Sequence, residues 1–444
     1  MKNGRVVEIT APRGGLAETV AAIPSKSQAH RALICAALSE DEVISFVTCH
    51  CSSADIRATI DCLMAVGADI LDCNSGIDVW PIKHSPLPLD EAVDLPCGES
   101  GTTLRLLLPV IAALGYTARF HRSGRLPQRP LSPLYEELAA HGCVLGTPTD
   151  EPLTLTGQLE PGDFCLDGGV SSQFISGLLF ALPLLAGPST LRLTTALESR
   201  SYVDMTLKAL RTSGIDIGFD GTTFSCRGPQ AYWAPDDIAI EGDWSNAAFW
   251  LCAGALGKRP LTVTDLAADS LQGDRAIIEL LRRFGARVEQ ADDAVTVQGG
   301  VLQGIEVDAH DTPDLVPALA VVAAAANGQT TITGAARLRL KESDRLAAVC
   351  DVLGRLGADI RETDDGLLIQ GGQRLHGATV DAWGDHRIAM MAAVASLLCR
   401  GRITITGAQA VSKSYPQFFE DFKALGGRVR HDTDSGAVPK EGVR

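Results

Sequence analysis

The sequence is poor in aromatic residues, has no excess of positive charge and contains no long hydrophobic run. Phe, Trp and Tyr make up 5% of its 444 residues, and 39 Lys and Arg stand against 54 Asp and Glu, for a net charge of −15. A protein that binds nucleic acid electrostatically normally has the opposite balance. The longest apolar runs, such as residues 315–326, are shorter than the ~18–20 residues that span a bilayer. We therefore expect neither a nucleic-acid-binding nor a membrane-spanning protein.

Motifs for export, metal binding and nucleotide binding are also missing. The first residues lack the apolar core of about 7–15 residues that a signal peptide needs, so we expect a cytoplasmic protein. The 12 Cys residues contain no CxxC pair, and Cys49-His50-Cys51 has no second pair at zinc spacing. Free, mostly buried thiols and no metal site are therefore expected. Neither common glycine-rich nucleotide motif is present, so no cofactor is expected.

Length and periodicity predict at least two domains built from one repeated unit. The chain is about three times the roughly 150-residue average domain, and its 45% hydrophobic and 21% charged residues are a globular composition. An amphipathic segment that ends in Gly before a short apolar segment occurs six times. These glycines, at intervals of 69 to 75 residues, are Gly67, Gly142, Gly214, Gly285, Gly357 and Gly426. Gly suits a helix end because a positive φ costs it little.

A second, apolar helix repeats with the same period of about 72 residues. Its copies open at Ser27, Gly101, Ser171, Ser245, Pro313 and Asp385. The apolar bodies of five of them are residues 104–114, 174–185, 247–256, 315–326 and 388–398. A helix that is apolar on nearly every side is buried. One buried helix, one amphipathic helix and several short strands in each of six units predict an α/β fold.

The residues that open these buried helices suggest anion binding. A helix N-terminus has unpaired N–H groups and a partial positive charge, so it binds anions readily. Ordinary N-capping explains the Ser and Asp residues there equally well. However, Lys or Arg lies in the first turns of three of these helices, as Lys26, Arg105 and Arg387 do, although the dipole disfavours cations there. Basic clusters at 122–130 and 337–345, each explicable as solvated charge, strengthen the prediction of a polyanionic substrate and acid–base chemistry.

Taken in order, these motifs resemble the signatures of the 5-enolpyruvylshikimate-3-phosphate synthase family, over essentially the whole chain. The matching segments are 26–31, 100–105, 125–130, 171–173, 341–346, 385–387 and Lys413. The resemblance implies a two-domain inside-out α/β barrel, the enolpyruvyl transferase fold, with six βαβαββ repeats, three per domain. It implies an N-terminal domain of residues 24–242 and a C-terminal domain of residues 1–23 plus 243–444. The buried helices would point their N-termini at the cleft between these domains.

The resemblance also implies a reaction. In this family the carboxyvinyl group of phosphoenolpyruvate is transferred to the 5-hydroxyl of shikimate 3-phosphate, with release of phosphate, on the route to chorismate and the aromatic amino acids. The expected partners are these two small molecules, without cofactor or metal, and the expected state is a monomer. The alternative is the sister family that acts on UDP-N-acetylglucosamine and shares the fold. Lys26-Ser27 and Asp385-His386-Arg387 match the shikimate branch. A non-enzymatic repeat scaffold would present exposed anchors instead of basic helix ends.

The resemblance assigns roles to individual residues. The implied contacts of shikimate 3-phosphate are Lys26, Ser27, Arg31, Ser171, Ser172, Gln173, Ser199, Tyr202, Asp314 and Lys341. The implied contacts of phosphoenolpyruvate are Lys26, Gly101, Thr102, Arg125, Gln173, Arg345, Arg387 and Lys413. Asp314 would act as the base on the hydroxyl, Glu342 would transfer the proton at the methylene carbon, and Lys26 would donate near the phosphate oxygen. The Lys and Arg residues of this set would balance the roughly five or six negative charges of the substrates.

Two residues depart from the family pattern, and the cysteines bear on the choice between the two branches. Glu99 stands where many members have Asn, and Arg337 replaces an Asn that elsewhere contacts the shikimate phosphate, so Arg337 is not among the predicted contacts. The UDP-sugar branch carries a reactive Cys in the loop that matches residues 123–127, where this chain has none. Cys97 is the one Cys close to the predicted site. We therefore expect fosfomycin, which alkylates that loop Cys in the sister family, to leave this protein active.

Overall fold

A computed structural model describes residues 5–12, 14–41, 43–49, 53–73, 75–82 and 92–431. Short strands and helices alternate along them. The described residues form twelve α-helices: α1 (Lys26–Ala37), α2 (Ala54–Ala65), α3 (Gly101–Leu114), α4 (Leu134–Ala140), α5 (Ser172–Ala181), α6 (Arg200–Thr212), α7 (Trp244–Leu256), α8 (Ile277–Phe284), α9 (Val316–Ala325), α10 (Arg345–Arg355), α11 (His386–Ala395) and α12 (Phe418–Ala424). Shorter 3-10 helices span Leu126–Gln128, Leu182–Leu184, Gly273–Ala276, Pro313–Leu315, Ala336–Leu340 and Ala408–Lys413.

The strands are short. Those in the described residues are β1 (Val7–Thr10), β2 (Glu18–Ala21), β3 (Ser45–Thr48), β4 (Asp69–Cys73), β5 (Gly76–Trp80), β6 (Val93–Gly98), β7 (Ala118–Arg122), β8 (Cys143–Leu145), β9 (Leu153–Gly157), β10 (Asp163–Leu166), β11 (Ser189–Leu193), β12 (Gly218–Phe219), β13 (Thr223–Cys226), β14 (Asp237–Ala239), β15 (Leu261–Thr264), β16 (Arg287–Ala291), β17 (Ala294–Gln298), β18 (Glu306–Asp308), β19 (Gln329–Thr333), β20 (Asp359–Glu362), β21 (Leu367–Gln370), β22 (Leu375–His376), β23 (Thr379–Asp381), β24 (Cys399–Arg400), β25 (Ile403–Thr406) and β26 (Arg428–His431).

One topology occurs six times among the described residues. In the copy β6-α3-β7-α4-β8-β9, β6 pairs parallel with β7, while β9 pairs antiparallel with β7 and β8. The parallel pair requires a crossover connection, which the buried helix α3 supplies. The other five four-stranded sheets have the orders β14-β3-β5-β4, β10-β11-β13-β12, β2-β15-β17-β16, β18-β19-β21-β20 and β23-β25-β1-β26. The predicted α/β fold of six βαβαββ units is confirmed.

The chain divides into two compact units. One consists of residues 23–243 and 269–273, and the other of residues 1–22, 244–268 and 274–444. Each unit contains three of the six four-stranded sheets, and the second unit also contains the two-stranded sheet β22-β24. Two of the sheets draw their first strand from a distant part of the chain, because β14 pairs with β3 and β2 pairs with β15.

The six glycines of the repeat all have the conformation that their position in the sequence predicts. Their φ angles are 105°, 91°, 79°, 99°, 96° and 97° for Gly67, Gly142, Gly214, Gly285, Gly357 and Gly426. A side chain is strained in this left-handed region, whereas Gly adopts it freely. Each glycine therefore ends its helix and redirects the chain into the next strand.

The buried helices begin close to the predicted positions, but some end earlier than their apolar patterns. The helix predicted over 174–185 ends at Ala181 and continues as a 3-10 turn, because Pro183 has no N–H to donate. The helix predicted over 388–398 ends at Ala395, where the Ser396 hydroxyl donates to the Ala393 carbonyl at 2.6 Å. The helix predicted from Pro313 starts as a 3-10 turn and becomes α-helical at Val316.

The structure describes eleven of the 12 cysteines. Seven of these eleven are buried, in agreement with the prediction of mostly buried thiols. His50 and Cys51 lie outside the described ranges. No cluster of His, Cys, Asp and Glu in the described part of the chain is arranged to hold a metal. In the same part, no helix is long and apolar enough to cross a membrane.

Candidate active site

Lys26, at the first position of α1, is held by two carboxylates of its own unit. Ser25 caps the helix by accepting a hydrogen bond from the Gln28 amide at 3.5 Å. The Lys26 Nζ lies 2.6 Å from Asp55 Oδ2, and the Lys26 amide donates to Asp243 Oδ2 at 3.1 Å. The sequence did not identify Asp55, because an acidic residue in the first turn of α2 is explained by the helix dipole alone. The ion pair between Lys26 and Asp55 therefore holds a cation at the start of a buried helix.

Arg31, one turn further along α1, joins several predicted contacts. It is 3% exposed and donates to Thr206 Oγ1, the Ser27 carbonyl and the Tyr202 carbonyl at 2.8, 2.6 and 2.8 Å. Burial lowers the pKa of Arg31 to about 10, so the guanidinium stays charged at neutral pH. Ser199 precedes α6 in a left-handed conformation, with φ 51°. The predicted residues Ser27, Arg31 and Tyr202 therefore lie together.

The start of α5 is linked to the start of α3. The Gln173 Nε2 donates to Thr102 Oγ1 at 2.8 Å, and Arg105 Nη1 donates to Gln173 Oε1 at 2.9 Å. Ser171 caps α5, since its Oγ accepts from the Gln173 amide at 3.3 Å, and Ser172 is the first helical residue. Arg105 thus fixes the orientation of the Gln173 amide. Four residues predicted to contact substrate are brought together here.

Gly101, the first residue of α3, lies against a guanidinium. A Cβ at this position would lie 2.6 Å from Arg129 Nη1, so a side chain here would displace Arg129. The sequence analysis named Gly101 as an implied contact of phosphoenolpyruvate and did not identify its contact with Arg129. The predicted contact Arg125 is exposed, whereas Arg122 is buried and its Nε lies 3.2 Å from Glu151 Oε2. Within the basic cluster at 122–130, Arg122 thus anchors the loop.

In the other unit, Arg345 at the start of α10 joins three carboxylates. Its Nη1 lies 2.6 Å from Asp314 Oδ1, its Nη2 2.6 Å from Glu342 Oε2 and its Nε 2.7 Å from Asp385 Oδ2. Arg345 is 1% exposed and Asp385 is fully buried. Burial opposes the charge of Asp385, but Arg345 outweighs it and lowers the pKa of this carboxyl. The predicted catalytic residues Asp314 and Glu342 are therefore neighbours on one guanidinium.

Two further cations contact Asp314. Arg387 Nη2 lies 3.4 Å from Asp314 Oδ2, and Lys341 Nζ lies 3.8 Å from Oδ1. Burial alone would raise the pKa of Asp314, but the charges of Arg387, Lys341 and Arg345 hold it well below its usual range. Lys413 Nζ donates to the Gly384 carbonyl at 2.5 Å, next to the N-cap Asp385. All the predicted site residues of this unit therefore lie near the starts of α9, α10 and α11.

Comparison with known proteins identifies the family of this chain. The family model for EPSP synthase (3-phosphoshikimate 1-carboxyvinyltransferase) matches residues 11–422. The chain belongs to the EPSP synthase family. It is 43% identical to a 3-phosphoshikimate 1-carboxyvinyltransferase of Clostridium kluyveri and 43% identical to one of Clostridium acetobutylicum, each time over 91% of this chain and 94% of the relative. A solved EPSP synthase of Acinetobacter baumannii is 27% identical, with a TM-score of 0.79 over 96% of this chain and 100% of the other.

Membership of the EPSP synthase family confirms the predicted two-domain enolpyruvyl transferase fold and makes the chain a transferase of the shikimate pathway. The family uses phosphoenolpyruvate and shikimate 3-phosphate. The alternative, transfer to UDP-N-acetylglucosamine, is not favoured by these relatives.

The two departures from the family pattern have protein contacts of their own. A Cβ on Gly124 would lie against the carboxylate of Glu99, so Glu99 packs on the loop that carries Arg125. Arg337 Nη2 donates to the His310 carbonyl at 2.6 Å. Both side chains therefore have a structural function within their units.

A buried row of hydrogen bonds near Lys26 had no signal in the sequence. His30 Nδ1 lies 2.7 Å from Thr59 Oγ1, Thr59 Oγ1 lies 2.7 Å from Thr103 Oγ1, and Thr103 Oγ1 donates to Ser100 Oγ at 2.7 Å. The row joins α1, α2 and the N-cap of α3. Burial, together with the charges of Lys26 and Arg31, lowers the pKa of His30 well below its usual value. His30 is therefore a neutral structural link between two helix ends of the site.

Proposed function

We propose that the two side-chain clusters carry out the reaction of the EPSP synthase family with the residues named above. The chain transfers the carboxyvinyl group of phosphoenolpyruvate to the 5-hydroxyl of shikimate 3-phosphate, and phosphate leaves. The observation that carries this proposal is the pair Asp314 and Glu342, both held at 2.6 Å by the buried Arg345. Two fixed carboxylates among cations suit a reaction that moves protons between anionic substrates.

The substrate contacts are proposed for each unit separately. In the unit of residues 23–243, shikimate 3-phosphate binds Lys26, Ser27, Arg31, Ser171, Ser172, Gln173, Ser199 and Tyr202, and phosphoenolpyruvate binds Lys26, Gly101, Thr102, Arg125 and Gln173. In the other unit, Asp314 and Lys341 bind shikimate 3-phosphate, and Arg345, Arg387 and Lys413 bind phosphoenolpyruvate. Because Arg345 is already paired with three carboxylates, its contact with phosphoenolpyruvate requires it to exchange one of these partners.

Asp314 takes the proton of the attacking hydroxyl. Its three cationic neighbours keep it ionised, and a carboxylate with a low pKa is a weak base. The proton therefore leaves late, once the bond from oxygen to the vinyl carbon is forming and the hydroxyl has become acidic.

Glu342 gives a proton to the methylene carbon of phosphoenolpyruvate in the addition step and takes one back when phosphate leaves. Lys26, ion-paired with Asp55 at 2.6 Å, donates a hydrogen bond to the leaving phosphate. Protons balance in this scheme. Glu342 takes back the proton that it gave, so it ends as it began, and the hydroxyl proton held by Asp314 leaves with the released phosphate.

We further propose that the two units are the three-repeat domains predicted from the sequence and that the enzyme acts as a cytoplasmic monomer without nucleic-acid or membrane partners. The net charge of −15 is consistent with a protein that binds anions only at local clusters of Lys and Arg.

The test is release of inorganic phosphate from phosphoenolpyruvate by the purified chain. Release should require shikimate 3-phosphate, and mass spectrometry should identify the enolpyruvyl product. UDP-N-acetylglucosamine in place of shikimate 3-phosphate should give no release. Release that depends on the UDP-sugar instead would overturn the proposal.

A further inference from the structure

A cavity of about 210 Å³ lies between α1, α6 and the chain around β14. Ala32 and Cys35 line it from α1, Met205 and Ala209 from α6, and Ile238 from β14. These residues all belong to the unit of residues 23–243. A cavity of about 150 Å³ with an apolar lining is large enough for a benzene ring. The space can therefore take an aromatic or a branched aliphatic side chain.

Apart from Arg31, this cavity shares no lining residue with the predicted substrate contacts. With 3.6 residues per turn, Ala32 and Cys35 lie about 120–180° around α1 from Lys26. On α6, the cavity is lined by residues between Met205 and Ser213, whereas the predicted substrate contacts Ser199 and Tyr202 lie at the N-terminal end of that helix. The cavity thus lies on the side of α1 that faces away from Lys26.

Two opposite charges line the cavity where it meets solvent. Lys208 of α6 and Asp237 of β14 both line it and are both exposed. Within the described part of the chain, neither side chain has a hydrogen bond or an ion pair. Arg31 also lines the cavity, but it is already bonded to Thr206, Ser27 and Tyr202. Lys208 is therefore the cation that remains for a ligand carboxylate.

We propose that this cavity binds an α-amino acid with a large apolar side chain. The side chain fills the space between α1 and α6, the carboxylate contacts Lys208 and the ammonium group contacts Asp237. An apolar pocket with a few placed polar groups is the usual form of a small-molecule site. A ligand with only one of the two charges would leave Lys208 or Asp237 without its partner, which favours a zwitterion.

The ligand test is isothermal titration calorimetry with L-phenylalanine and L-leucine. The matched analogues are 3-phenylpropanoate, which lacks the ammonium group, and phenethylamine, which lacks the carboxylate. We expect saturable binding of at least one amino acid and binding about tenfold or more weaker for each analogue, since hydrogen bonds to charged groups are the stronger ones. Absence of saturable binding by both amino acids would overturn the proposal.

The variants test the position of the site. Lys208→Gln and Asp237→Asn should each weaken binding about tenfold or more, and Ala209→Phe should abolish it by filling the cavity. Lys423→Gln, an exposed lysine of α12, should leave binding unchanged. All four variants should release phosphate from phosphoenolpyruvate and shikimate 3-phosphate as the parent does, which separates this test from that of the reaction. Binding that survives Ala209→Phe, or that saturating shikimate 3-phosphate abolishes, would place the ligand elsewhere and refute the proposal.

Discussion

Arg31 and Arg345, one buried arginine from each unit, are paired in opposite ways. Among the described residues, Arg31 bonds only to hydroxyl and carbonyl oxygens, at 2.6 to 3.4 Å. In the other unit, Arg345 bonds to the carboxylates of Asp314, Glu342 and Asp385, at 2.6 to 2.7 Å. The charge of Arg31 is therefore uncompensated by its neighbours, whereas that of Arg345 is more than balanced.

This difference suggests different tasks. A buried cation without a counter-charge gains most from an anionic ligand, because burial of an unpaired charge is expensive. A guanidinium shared by several carboxylates instead holds those carboxylates in fixed positions. We therefore expect substitutions around Arg31 to change mainly substrate affinity, and substitutions around Arg345 to change mainly turnover.

The largest effect is expected for the carboxylates on Arg345. Glu342→Gln keeps the size and one hydrogen bond of the side chain but removes its capacity to transfer a proton. Turnover should fall about 10²-fold or more with KM little changed, which is the usual scale for general acid–base catalysis. Asp314→Asn should behave similarly. Steady-state phosphate release measures both, and near-normal turnover in either variant would refute its proposed role.

A smaller effect separates the two arginines. Lysine keeps the charge but loses the planar set of donors, so it cannot replace Arg at several partners at once. Arg31→Lys should raise KM for shikimate 3-phosphate about tenfold, the loss expected from one hydrogen bond to a charged group, and leave turnover within a few-fold. Arg345→Lys should lower turnover by about tenfold or more, because Asp314 and Glu342 lose their common support.

Thermal unfolding of both variants shows whether the fold is retained. The proposed difference in task between Arg31 and Arg345 is refuted if both substitutions change only KM. It is also refuted if Arg31→Lys, and not Arg345→Lys, reduces turnover.

The two units should also differ in the pH range where they lose stability. The folded-state pKa of His30 is lowered by burial and by Lys26 and Arg31, so the unfolded chain binds more protons as pH falls below about 6.5. The stability that neutral His30 provides is thus present above this pH and declines below it, by up to about 1.4 kcal/mol per pH unit. Asp314, whose pKa is lowered, loses its contribution only below about pH 4.

Urea unfolding between pH 7 and pH 5 measures this slope. His30→Gln should flatten it, whereas His376→Gln, a change at an exposed histidine, should leave it unchanged. An equal slope in parent and His30→Gln would show that His30 is not the acid-sensitive group.

The repeat could be predicted from sequence because its signals are local. The glycine at a helix end, such as Gly285, is selected by the φ of a single residue, and an apolar helix such as α3 shows its burial in its own composition. The pairing of β2 with β15 and of β14 with β3 has no such signal, since it joins residues hundreds of positions apart. Family resemblance, not local pattern, supplied the domain boundaries.

The residues proposed to contact substrate could be named from the sequence, but the residues that support them could not. Lys26 and Asp314 belong to motifs that the family shares, whereas the carboxylate of Asp55 and the hydroxyl of Thr59 look like ordinary helix residues until folding brings them to Lys26 and His30. Arg345 was predicted as a substrate contact, and its three ion pairs were not.

The smallest expected effect is none at all, and it concerns the thiols of the unit that contains Arg31. Alkylation requires an accessible thiolate, and the loop at 123–127 has no cysteine. Cys97 is fully buried, with its Sγ 4.0 Å from Cys62 Sγ. The hydrogen bond with Cys97 and burial raise the pKa of Cys62. Fosfomycin should therefore leave turnover unchanged and add no mass to the protein.

Cys73 provides the matched control, because it is exposed. N-ethylmaleimide, a small general thiol reagent, should add one group at Cys73 in the parent. It should add none at this position in Cys73→Ser. The treatment should not change phosphate release by either protein. The hydrogen bond of Cys73 with Asp78 raises the pKa of this thiol, so even this exposed cysteine should not react with fosfomycin at neutral pH. Stoichiometric labelling of Cys97 by fosfomycin with loss of activity would mean that the start of α3 opens to solvent.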